Sequence, residues 1–188
     1  MRYSTSRKQE TREKLLDSSR AIAKKDGFDA TGVDALMAAI GLTGGAFYGH
    51  FDSKDELFEA MIERDLELSR DMLGGNADSP PDHVAKRLRG YLSRAHAASP
   101  ETGCVLAALG PEIARASPEV KAGVERTLKR LQRLWADRLG DTDGGWALIS
   151  QCVGAILLAR VVESDRTRSE ILAASRRFLD KALQTPHA

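Results

Sequence analysis

The chain is poor in aromatics and cysteines and has no metal-ligand spacing, and each shortage excludes a class of protein. Phe, Trp and Tyr make up only 5% of its 188 residues, so the core has to be built mainly from aliphatic side chains. Two cysteines, Cys104 and Cys152, cannot form a disulfide framework, and the simplest expectation is a pair of reduced thiols in a cytoplasmic protein. An apolar setting argues for an inert Cys104 rather than a redox sensor, which needs an exposed, low-pKa thiolate. The four histidines, His50, His83, His96 and His187, show no HxxxH spacing, and no nucleophile, base and orienting group form a set. No metal, no cofactor and no catalytic residue is expected. Met1 is followed by polar residues, not by the hydrophobic region of a signal peptide. The most apolar run, Trp146 to Val162, is interrupted by Ser150, Gln151 and Arg160 and reads as a buried helix, not a membrane span.

What remains suits a folded protein, with 42% hydrophobic and 29% charged residues. The length allows one compact domain, or a small headpiece on a larger body. A net charge of +1 is uninformative, but its distribution is not. From Met1 to Lys25 there are eight basic residues against three acidic ones, so this end can meet a polyanion.

Helical periodicity runs through nearly every segment, and strand alternation is almost absent. Leu15, Ile22 and Ala23 mark a first amphipathic helix that ends near Asp26-Gly27. Thr31 reads as the N-cap of a second helix, with Asp34 at its third position and Val33, Leu36, Met37 and Ile40 facing inward. Gly41 provides a sharp turn, and Thr43 can cap a short third helix that runs to His50. Ser53-Lys54-Asp55-Glu56 is a capping box that opens a fourth helix reaching about Leu73. Gly74 to Pro81 is the clearest linker, and Ser79-Pro80-Pro81-Asp82 starts another helix, filled by Val84, Leu88, Tyr91 and Leu92. Residues 103–115 are short and apolar, with an expected break at Gly110-Pro111. Ser117-Pro118 opens a long helix to Leu139, a turn covers residues 140–145, and an apolar helix spans 146–163. A second capping box, Thr167 to Glu170, begins the last helix. The expectation is an all-α protein of about nine helices.

Two short helices around a glycine turn, followed by a basic capped helix start, have the form of a helix-turn-helix whose second helix enters the DNA major groove. The run Leu42-Thr43, Gly44-Gly45-Ala46-Phe47-Tyr48-Gly49-His50-Phe51 and Ser53-Lys54-Asp55-Glu56-Leu57, in register with Gly27 to Thr31 and Leu36 to Gly41, resembles the TetR family of transcriptional repressors. The resemblance covers roughly residues 10–60 closely and the rest loosely. It implies an N-terminal three-helix DNA-binding headpiece (1–53) and a C-terminal helical bundle for ligand binding and dimerisation (54–188).

Phe47 and Phe51, four residues apart, point the same way and belong to the headpiece core. Gly44, Gly45 and Ala46 leave little bulk at the start of the third helix, so backbone N–H groups there can face a phosphate. Tyr48 and His50 fall on other faces, within reach of phosphates or base edges. Lys54 adds a charge at a helix N-terminus. The resemblance implies DNA contact by Thr43, Tyr48, His50 and Lys54 and places Thr31 near the DNA backbone. Arg2, Arg7 and Lys8 are expected to add salt-dependent affinity. Gly32 and Gly44 stand where such proteins often carry a hydroxyl or a longer polar side chain, and Ala46 replaces a common Thr, so fewer direct base contacts are expected. Each polar residue also has a plain structural alternative: Tyr48 as partly buried filler, His50 as packing or capping, Lys54 as a solvated surface lysine.

The resemblance further implies a homodimer on a palindromic operator in double-stranded DNA, released by a small-molecule inducer of unknown identity. The last two helices are the candidate dimer surface, with Ala147, Ser150, Gly154, Ala155 and Ala159 allowing close approach and Leu148, Ile149, Val153, Ile156, Leu157 and Leu158 supplying apolar area. Tyr91, His96, Cys104, Leu106, Leu109, Leu131, Trp135 and Trp146 are candidate ligand-pocket residues, because they combine apolar helix faces with polar or aromatic character. The competing reading is an all-α small-molecule-binding or protein-interaction module whose headpiece is vestigial.

Overall fold

Capping side chains set many of the helix boundaries. Backbone N–H groups of Glu56, His96, Val120 and Asp143 donate to the side chains of Ser53 (3.0 Å), Ser93 (3.2 Å), Ser117 (3.3 Å) and Asp141 (3.0 Å). In the computed structural model, which describes residues 5–74, 78–80 and 82–184, nine α-helices result. They are α1 (Thr5–Asp26), α2 (Val33–Ala38), α3 (Lys54–Gly74), α4 (His83–Tyr91), α5 (Arg94–Ala98), α6 (Val105–Arg115), α7 (Pro118–Leu139), α8 (Thr142–Val161) and α9 (Asp165–Gln184). Two 3-10 segments, Gly44–Gly49 and Pro100–Thr102, join them, and no described residue is in a strand. The protein is all-α, with an N-terminal helix-turn-helix set on a helical bundle.

Several boundaries differ from expectation for local reasons. Thr31 is not the N-cap of α2: Gly32 takes that position, and the buried Thr31 hydroxyl donates back to the Gly27 carbonyl (2.8 Å). The third helix is a 3-10 segment, and Thr43 stands at its N-cap without a side-chain bond. In the capping box of α3 the Glu56 carboxylate accepts from the Asp52 N–H (2.6 Å) instead of from Ser53. The helix expected after residue 79 divides at Leu92-Ser93 into α4 and α5, and Pro81 of its expected start lies outside the described residues. Pro111 does not break α6; a proline removes one N–H, and the flanking turns continue around it. Only Gly140 of the expected 140–145 turn has a left-handed conformation (φ 65°), and the Asp141 cap starts α8 at Thr142. Ser164, not Thr167, caps α9, accepting from the Thr167 N–H (3.3 Å).

Two cores follow. The first joins Leu15, Phe28, Leu36, Phe47 and Phe51 to Leu57, Phe58, Ile62 and Leu66 of α3, and continues into Leu109 and Ile113 of α6 and Val124 of α7. It runs straight across residue 53, because α3 serves both sides. The second gathers Leu88, Leu92, Cys104, Leu131, Trp135, Leu148, Cys152, Ile156, Leu172 and Leu179. Burying each such side chain contributes roughly 1.5–3 kcal/mol. α8 is long and apolar enough to cross a membrane by length and composition alone, but Leu148, Ile149, Cys152, Ala155, Ile156 and Ala159 are buried on its inner side. Its outer side leaves Trp146, Leu157, Leu158 and Val161 exposed, and Phe178 of α9 is also exposed. Leu148, Ile149, Ala155, Ile156 and Ala159, expected at a dimer seam, therefore lie inside the protomer. Ala147 and Ser150 are exposed and Gly154 is half-buried.

Candidate nucleic-acid interface and effector cavity

Aromatic packing fixes the short 3-10 segment Gly44–Gly49. The Phe47 and Phe51 rings lie 5.9 Å apart in the core, and Phe28 stacks on Phe58 at 4.4 Å. Held on this platform, Thr43, Gly45 and Tyr48 face solvent, with Tyr48 67% exposed and its ring edge-on to Phe47 at 5.3 Å. Gly44 has a specific reason to lack a side chain. A Cβ there would meet the Asp34 carboxylate at 1.8 Å. The glycine accommodates Asp34, an acid at the entrance to the segment that sequence reasoning treated only as a helix-end charge.

Thr31 and Lys54 stand behind this surface. The Lys54 ammonium donates to the Phe28 carbonyl (2.8 Å) and the Asp29 carbonyl (3.4 Å), and sits 4.5 Å over the Phe28 ring. With the Thr31 hydroxyl on Gly27, it braces the α1–α2 turn. His50 is half-buried, and its pKa is held below the usual value, first by burial and then by the charges of Lys8 and Arg12. Its Nδ1 is occluded and has no hydrogen-bond partner among the described residues. Arg12 lies 4.1 Å over the Phe51 ring and pairs with Glu56 at 3.3 Å, a role with no signature in the motif. Arg7 and Lys8 lie in the first turn of α1, and Arg2 is outside the described residues.

Of the expected pocket residues, Tyr91, His96 and Cys104 come together. The rings of Tyr91 and His96 are 4.5 Å apart. His96 Nδ1 is 2.6 Å from the Tyr91 carbonyl, and Nε2 is 3.0 Å from the Cys104 N–H. A carbonyl only accepts and an amide only donates, so the ring is neutral with its proton on Nδ1. Burial is the main cause that lowers its pKa. Burial also raises the Tyr91 phenol well above its usual range, and pushes the Cys152 thiol up to about 12. Tyr91, His96 and Cys104 border a cavity of about 710 Å³ whose apolar wall is Leu68 and Met72, within the size range of small-molecule sites. Leu109 faces the headpiece core, Trp135 is sealed in the second core, and Trp146 lies on a separate open groove with Leu128 and Val153. Leu106 and Leu131 border a small void with Cys104 and Cys152.

Two features went unforeseen. Glu112 of α6 accepts the backbone N–H groups of Phe28 (2.9 Å) and Asp29 (2.8 Å), joining the body to the headpiece. Asp65 of α3 is buried between Arg20 and Lys24 of α1. A signal for the latter was available: Asp65 follows Met61 by four residues on the inward face of α3, and Arg20 and Lys24 share the same spacing in α1.

Residues 15–61 match the family described as bacterial regulatory proteins, tetR family. Over 166 residues the chain is 25% identical to an HTH-type transcriptional regulator from the lacX 3' region of Lactococcus lactis, spanning 81% of this chain and 85% of that protein. It is 25% identical to the HTH-type transcriptional repressor KstR of Rhodococcus jostii over 74% of this chain, but 65% of that repressor's length. The HTH-type transcriptional regulator UidR of Escherichia coli is 34% identical over 31% of this chain and 30% of its own length. Among solved structures, reduced E. coli NemR superposes with a TM-score of 0.76 at 21% identity, over 95% of this chain and all of that one. A TetR regulator from Chloroflexus aurantiacus gives 0.75 at 21% identity, over 94% and 98%. The chain thus carries a sequence of the tetR-family type over residues 15–61, and along nearly its whole length it has the fold of these solved regulators.

Proposed function

We propose that the protein is a ligand-responsive repressor that binds a palindromic operator as a homodimer. The observation that carries this reading is the exposure of Thr43, Gly45 and Tyr48 on a fixed aromatic platform. Thr43, Gly44, Gly45 and Tyr48 form the DNA-contacting surface, and His50 flanks it. Thr31 and Lys54 contribute by holding the α1–α2 turn, because their polar groups are already bonded inside the headpiece. Residues 1–53 are the reading head and 54–188 the sensing and pairing body. The exposed Leu157, Leu158, Val161 and Phe178 supply the apolar area through which two copies associate. The cavity beside Tyr91, His96 and Cys104 takes the effector, which releases DNA by favouring the conformation that does not bind it. A repressive role agrees with the name of the relative KstR.

The test is a mobility shift on the DNA upstream of the protein's own coding sequence, across a salt series. A discrete, competitor-resistant complex is expected, weakened about tenfold or more by Tyr48→Ala. Weak binding that is equal on unrelated DNA and indifferent to Tyr48→Ala would overturn the reading.

A further inference from the structure

The cavity that borders Tyr91 also reaches the charge cluster between α1 and α3. There the side chains of Arg20 and Lys24, 16% and 3% exposed, converge on the single buried carboxylate of Asp65. Arg20 Nε donates to Asp65 Oδ1 at 2.8 Å, and Lys24 Nζ lies 3.1 Å from Oδ2 while donating to the Gly103 carbonyl at 3.1 Å. The other acid on Arg20, Asp17, is on the outside of α1 with its side chain 56% exposed. Two largely buried cations thus share one buried anion. Burying charge is expensive unless it is matched, so the inner end of the cavity favours a second anion. Lys86 and Arg87 of α4 line the same cavity and outnumber the acid Asp82 there. Leu68, Met72 and the Tyr91 ring offer apolar surface beside the charge.

The geometry points to an amphipathic anion as the ligand of this cavity: a carboxylate or phosphate head that pairs with Arg20 in competition with Asp65, and an apolar body lying against Leu68, Met72 and Tyr91. Its regulatory consequence rests on the ligand-responsive reading above. Arg20 and Lys24 belong to α1, the first helix of the headpiece, and Lys24 also holds the Gly103 carbonyl just before α6. An anion that draws Arg20 from Asp65 therefore acts on the DNA-binding end itself, with no relay through the body.

The test is calorimetric titration of the full chain with octanoate, octyl phosphate and uncharged 1-octanol. At least one of the two anions is expected to bind about tenfold tighter than the alcohol, as a charge-assisted pair gives, and the preferred head group separates carboxylate from phosphate. Arg20→Gln should abolish that preference. Asp65→Asn removes the competitor but leaves Arg20, and should strengthen anion binding severalfold; a merely structural Asp65 would not do this. If either variant fails to fold, Lys86→Gln/Arg87→Gln on the exposed rim should weaken anion binding, and added salt should weaken it while sparing the alcohol. Equal affinity for anions and alcohol, or no anion binding up to roughly millimolar concentration, overturns the proposal. Anion binding of the expected pattern that leaves the operator complex intact keeps the site and removes its regulatory role. Release of the operator by an uncharged compound, with no anion bound, keeps the ligand-responsive reading and removes the anion site.

Discussion

The headpiece and the body bury their apolar surface by different means. Four of the five phenylalanines, Phe28, Phe47, Phe51 and Phe58, lie within 31 residues and fill the core beneath α2 and the 3-10 segment. Those two elements are six residues each, too short to persist without tertiary support, so a few large rings must supply the contact that length cannot. The body uses helices of twenty or more residues, α7, α8 and α9, which pack aliphatic side chains around one sealed ring, Trp135. Large rings in a small space fix their own positions and those of their neighbours. Aliphatic seams along long helices accept many substitutions of similar volume.

The strongest challenge to this division is to empty one core at a time. Phe47→Ala and Trp135→Ala should each cost about 3–5 kcal/mol, read from chemical denaturation. Because the first core continues from Phe47 through α3 to Leu109 and Val124, both variants should lower a single shared transition. Two separate transitions in calorimetry would break the continuity and restore a boundary near residue 53.

Glu112 sharpens the comparison at the joint between the two regions. Glu112→Ala leaves the Phe28 and Asp29 N–H groups without their carboxylate and should cost about 1–3 kcal/mol. Hydrogen exchange should quicken at the α1–α2 turn and leave α8 unchanged; equal quickening in both would mean that the brace is not local.

The smallest expected effect concerns acid. Burial lowers the pKa of His96 in the body and of His50 in the headpiece, so the unfolded chain takes up their protons more readily than the folded one. The stability they contribute is present above the unfolded value of about 6.5 and is lost as the pH falls below it. His96→Gln should flatten the decline in melting temperature between about pH 7 and 5, and His50→Gln should flatten it less, because His96 has both ring nitrogens bonded inside the protein. An equal effect would mean that the headpiece histidine is as tightly enclosed as the other.

The sequence disclosed the all-α class, the turn glycines and the Phe47–Phe51 pair, because caps and short-range spacing determine them locally. It disclosed Thr43 and Tyr48 as outward-facing for the same reason. It did not disclose that Thr31 and Lys54 bond to the backbone carbonyls of Gly27 and Phe28, because a carbonyl carries no residue identity. Tyr91, His96 and Cys104 were legible as a group, whereas Leu109, Trp135 and Trp146 were not separated from them. Helical periodicity shows that a side chain faces inward, but not which of two adjoining cores it enters.

Asp34 and Gly44 together bear on how the outward surface of the 3-10 segment can change. Any residue with a Cβ at position 44 has to displace the Asp34 carboxylate from the space it occupies. Asp34 is exposed and its carboxylate is the free end of a short side chain, so it can swing aside and let a new side chain at position 44 take the place it held. Gly44→Ala therefore moves the Asp34 charge to a new place on this surface, whereas Asp34→Ala removes it.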